Sequence, residues 1–111
     1  MNPELLSRVQ APASVRRGEV FQVRITLAHP METGFRYDES GRQTPYNVIN
    51  ALSCSYNGTP VFSATLSSGI AANPTFQFFV RARDSGALAF EWQDDEGRQG
   101  MARHVLTVTG G

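Results

Sequence analysis

Apolar and polar residues alternate with a period of two along most of this chain. The clearest segment interleaves Phe21, Val23, Ile25 and Leu27 with Gln22, Arg24 and Thr26, the inside/outside code of a half-buried strand. Phe76, Phe78 and Val80 alternate in the same way with Gln77, Phe79 and Arg81, which assigns Phe79 to the face that should be wet. Leu88, Phe90 and Trp92 form a further inward set, and a last strand is predicted from Gln99 to Thr109. Turn residues punctuate these runs at Asp38 to Gly41, Asp84 to Gly86 and Asp94 to Gly97. Leu5 to Gln10 reads as a short apolar lead-in, and Ala11-Pro12 with Ser14 to Gly18 as an irregular link.

A long strand from Tyr46 to Tyr56 and a return strand from Thr59 to Leu66 flank Asn57-Gly58, whose residue types suit the two positive-φ positions of a type I′ hairpin turn. With a two-residue loop, Leu52, Cys54 and Tyr56 share a face with Val61, while Ile49 and Ala51 share the other with Phe62, Ala64 and Leu66. Both faces are then partly apolar. Either a bulge shifts the register by one residue, or another element or chain covers the outer face. Short strands with turns every eight to twelve residues predict an all-β fold, an immunoglobulin-like antiparallel β-sandwich of about seven strands, in one domain over residues 1–111.

The strand carrying Phe21 to Leu27 should stop near His29, because Pro30 has no N–H to give a ladder. The loop that follows holds His29, Pro30, Met31, Glu32, Thr33, Gly34, Phe35, Arg36 and Tyr37. Connectors are usually short and polar, so this apolar and charged run, together with outward Phe79, is the expected partner-binding surface.

Composition narrows the function classes. Ten basic and ten acidic residues cancel, which argues against nucleic acid or an anionic membrane held by bulk charge. Met1 to Gln10 lacks a cationic head followed by an apolar run, and no stretch approaches the roughly 20 apolar residues of a membrane span. The single cysteine, Cys54, excludes an intrachain disulfide and is expected to be a buried thiol. His29 and His104, with Cys54 and Met31 or Met101, supply the ligand types of a blue-copper site, but they are not clustered in one short loop as in cupredoxins. No local signature supports nucleophilic catalysis, zinc or a phosphate cradle. Asp94-Asp95-Glu96 reads as a solvated hairpin tip. The expectation is a chain that is not an enzyme, with no metal and no cofactor. Its rivals are a cupredoxin-like electron carrier and an adhesive or sugar-binding module.

The run His29 to Gly34 resembles the SoxZ family, as do Arg36, Gly41, Pro45, Ile49, Asn57-Gly58, Val61-Phe62, Asn73-Pro74, Phe76 and Asp95-Glu96-Gly97. The resemblance runs from Leu5 to Thr109 and implies the Z subunit of the SoxYZ carrier of bacterial thiosulfate oxidation. It implies a non-catalytic sandwich that forms a heterodimer with SoxY, whose Gly-Gly-Cys-Gly-Gly arm carries the sulfur intermediate, and that docks transiently with other Sox enzymes. Val108 to Gly111 contains no cysteine, so the sulfur-loaded half is expected to be SoxY. Periplasmic delivery by co-export with SoxY is implied as well. The isolated chain is a candidate for self-association through an uncovered face.

Overall fold

The computed structural model describes residues 7–27, 39–42, 48–66 and 74–110. Within them the alternating segments form strands β1 (Ser7–Gln10), β2 (Ser14–Arg16), β3 (Val20–Leu27), β4 (Ile49–Tyr56), β5 (Thr59–Thr65), β6 (Thr75–Arg81), β7 (Gly86–Asp94) and β8 (Gln99–Thr109). They divide into a three-stranded sheet, β1-β3-β6, and a five-stranded sheet, β2-β8-β7-β4-β5. The two sheets close on one core in an immunoglobulin-like sandwich, to which β3 gives Phe21, Val23, Ile25 and Leu27, β4 gives Leu52 and Cys54, and β7 gives Leu88, Phe90 and Trp92. Phe62 and Phe78 stack across the sheets with ring centroids 4.4 Å apart.

The strand count differs from expectation at the start of the chain. The lead-in is β1, antiparallel to β3, and the supposed irregular link contains β2, parallel to β8. The chain crosses between sheets at residues 11–13, where the Nε2 of half-buried His104 donates to the Pro12 carbonyl at 2.8 Å. Both strands are short and polar outside, so periodicity alone had little to show.

The hairpin ambiguity resolves as a bulge. Asn57 and Gly58 take φ 51° and 82° as a type I′ turn requires. Cys54 then pairs with Phe62 but Ser55 with Pro60, leaving Val61 as the extra residue. Phe62, Ala64 and Leu66 thereby join Leu52 and Cys54 on the inner side. A second bulge at Asn50 lets Ile49 and Leu52 both face inward; Asn50 is held there by Asp95 Oδ1 at 2.9 Å.

The β7–β8 ladder matches large against small. Trp92 lies opposite Gly100 and Phe90 opposite Ala102. A Cβ on Gly100 would overlap the Trp92 indole ring. Among the described residues Trp92 Nε1 has no acceptor, and what holds the indole there is packing against β8. Tyr56 fastens the β6–β7 turn, its hydroxyl donating to the Asp84 carbonyl at 2.5 Å and accepting from Arg83 N at 3.0 Å.

Two consequences are measurable. Gly100→Ala should cost about 1–3 kcal/mol in urea unfolding and shift Trp92 emission, because the methyl group has no room. An unchanged midpoint would contradict the packing. Burial pushes the Cys54 thiol pKa from its ordinary 9.0 up to about 11, since desolvation disfavours the thiolate. The folded state therefore binds that proton more tightly, and its contribution to stability, complete below pH 9.0, is lost as pH rises towards 11. Cys54→Ala should flatten that part of the stability profile; an unaltered profile would show that Cys54 does not titrate there.

Candidate interaction surface

Because Gly100 and Ala102 occupy the inner side of β8, its larger apolar residues point outward. Met101 is 74% exposed and Val105 68%, with exposed Arg103 between them. Cross-strand pairing lays out the rest of this outer face. Met101 is opposite Glu91, which is opposite Ser53; Arg103 is opposite Ala89, which is opposite Ser55; and Val105 is opposite Ala87. Apart from Glu91, β7 and β4 thus present short side chains at these positions, while β8 forms a taller wall.

The result is a shallow trough with two depressions. One, of about 350 Å³, is lined by residues including Ala51, Ser53, Glu91, Gln93 and Met101. The other, of about 590 Å³, includes Ser55, Ala87, Ala89, Met101 and Arg103. Met101 borders both. On its outer face Glu91 in the floor is balanced by Arg103 on the wall, and the rest of the floor between them is alanine and serine.

The expected site residues fall differently. The run His29 to Tyr37 lies outside the described residues. Phe79 is where alternation assigned it, 66% exposed on the outer side of β6, on the sheet opposite the trough. Met101, Val105 and the trough were missed. The available signal was the outward parity of Met101, Arg103 and Val105 in β8, obscured because the inward set, Gly100, Ala102 and His104, is no more apolar.

Other groups serve the scaffold. Cys54 is buried in the core on β4. Asp94, expected in a solvated tip, is 4% exposed; its Oδ1 accepts from Glu96 N and Arg98 N, each at 3.0 Å, and so builds the β7–β8 turn. Its neighbour Asp95 accepts from Val48 N at 3.1 Å and clamps the start of β4. Among the described residues no three His, Cys, Asp or Glu side chains gather as a metal-holding group.

No curated protein sequence matches this one. Solved structures share its fold. Superoxide reductase (neelaredoxin) from Ignicoccus hospitalis is 21% identical with a TM-score of 0.70, over 93% of this chain and 80% of that one. Superoxide reductase from Nanoarchaeum equitans is 13% identical with a TM-score of 0.66, over 96% and 95%. The sulfur carrier protein SoxY from Chlorobium limicola f thiosulfatophilum is 15% identical with a TM-score of 0.64, over 94% and 79%. At such identities the likeness is one of fold, shared by proteins of different activity. The family model for sulphur oxidation protein SoxZ matches residues 9–104, from the second half of β1 to the middle of β8. The chain therefore belongs to the SoxZ family, and its function is that of a carrier subunit in Sox sulfur oxidation.

Proposed function

We propose that this chain is the non-catalytic half of a heterodimer with SoxY, which it binds through the trough on the outer face of the five-stranded sheet. SoxY holds the sulfur intermediate, and this chain steadies SoxY while other Sox enzymes visit it. The observation that carries the reading is the exposed pair Met101 and Val105 beside a floor of Ser53, Ser55, Ala87 and Ala89. The protein's core is already complete without them. An apolar ridge over a flat, nearly uncharged floor is the composition of an interface centre. The loop from His29 to Tyr37 is proposed to extend this contact, with Glu32 and Arg36 as its charged pair. Delivery to the periplasm by co-export with SoxY belongs to the same proposal.

Met101→Glu and Ala89→Arg should each weaken SoxY binding by about 2 kcal/mol or more, roughly 30-fold, with the melting temperature unchanged. Titration calorimetry with SoxY reads this directly, and wild-type affinity in both variants would sink the assignment. Uncovered, the face should also pair two copies of the isolated chain. The sedimentation coefficient should then rise with concentration, and Met101→Glu should abolish the rise. A strictly monomeric wild-type chain at high concentration would contradict that pairing.

A further inference from the structure

The two sheets differ in charge. On the five-stranded sheet the strands carry Arg16 and Arg103 against Glu91 and Asp94, and the charges cancel. Strands β1, β3 and β6 carry Arg8, Arg24 and Arg81 and no carboxylate at all. All three arginines are exposed. Each lies at a position alternate to the inward residues: Arg8 beside Val9, Arg24 between Val23 and Ile25, Arg81 after Val80.

Phe79 stands between two of them, Arg24 and Arg81, with Arg8 further along the face. It pairs with Gln22 across the ladder; Arg81 lies two residues along its own strand and Arg24 on the diagonal, each about 7 Å away. Val20, 50% exposed, faces Arg81 and widens the apolar spot. Arg24 and Arg81 are held by neutral acceptors. Arg24 Nη2 donates to Gln77 Oε1 at 3.1 Å, and Arg81 Nη1 donates to the Gly18 carbonyl at 2.8 Å. These contacts orient the guanidinium groups without neutralising them.

We propose that this face docks an acidic patch on a second protein, one that acts on the carrier, while SoxY occupies the opposite sheet. The inference rests on the heterodimer reading above. Two guanidinium groups, Arg24 and Arg81, beside one exposed phenyl ring suit a compact pair of carboxylates next to an apolar spot, because each guanidinium pairs with a carboxylate bidentately, and Arg8 extends the basic character further along the same face. A polyphosphate backbone or lipid surface would instead require a net positive field, which this chain of zero formal charge lacks.

The test uses this chain complexed with SoxY in reconstituted thiosulfate oxidation, with carrier and NaCl concentrations varied. The double variant Arg24→Glu/Arg81→Glu should raise the half-saturating carrier concentration about tenfold or more and flatten its salt dependence. Phe79→Ser should raise it while the salt dependence stays, and Arg24→Lys/Arg81→Lys should recover part of the loss. SoxY affinity and melting temperature should match wild type in all three. Wild-type kinetics in both the double reversal and Phe79→Ser would overturn the proposal. So would a loss of SoxY affinity, which would seat SoxY on this face. Binding of the wild-type complex to phosphatidylglycerol vesicles, abolished by the double reversal, would make lipid the ligand and overturn it too. The heterodimer reading is tested separately, by Met101→Glu against SoxY.

Discussion

The fit of Trp92 against Gly100 constrains both sides of β8. β7 fills the space between the sheets with Leu88, Phe90 and Trp92, and β8 must then be small on its inner side wherever it crosses the larger of them. That leaves the bulk of β8 to be placed outside, where Met101 and Val105 stand above neighbouring strands of alanine and serine. A core-packing constraint on one side of a strand thus shapes the surface on the other. The same strand anchors the chain's crossing between sheets, through His104 and the parallel pairing with β2.

The sandwich consequently has two unlike faces. The trough is neutral, flat and apolar along one wall, suited to a lasting subunit contact. The β1-β3-β6 face gathers arginines around Phe79, suited to a salt-sensitive encounter. A carrier subunit benefits from that division, since one partner should stay bound while others come and go. The superoxide reductases that share this architecture show that a sandwich alone does not specify such a role.

Much of the fold was legible in the residues. Strict alternation identified β3 and β6 and set Phe79 outside, and Asn57-Gly58 marked the hairpin. Family membership was legible in scattered motifs from His29 to Gly97 and agrees with the SoxZ match over residues 9–104. Register was less accessible. A bulge changes which residues share a face without changing composition, so Val61 and Asn50 could not be recognised as extra residues beforehand. The trough was hidden for a related reason: parity shows which residues share a side of β8, but only the size match with β7 shows which side is inward. Asp94 escaped because a buried carboxylate satisfied by turn amides looks, in sequence, like any exposed acidic tip.

The most direct test is methyl NMR of this chain with isotope-labelled methionine, titrated with unlabelled SoxY in the presence of a soluble paramagnetic relaxation agent. In the free chain the Met101 methyl should relax strongly, being 74% exposed. At saturating SoxY it should shift and become protected. A Met101 methyl that stays equally accessible in the saturated complex would contradict the placement of SoxY on this sheet.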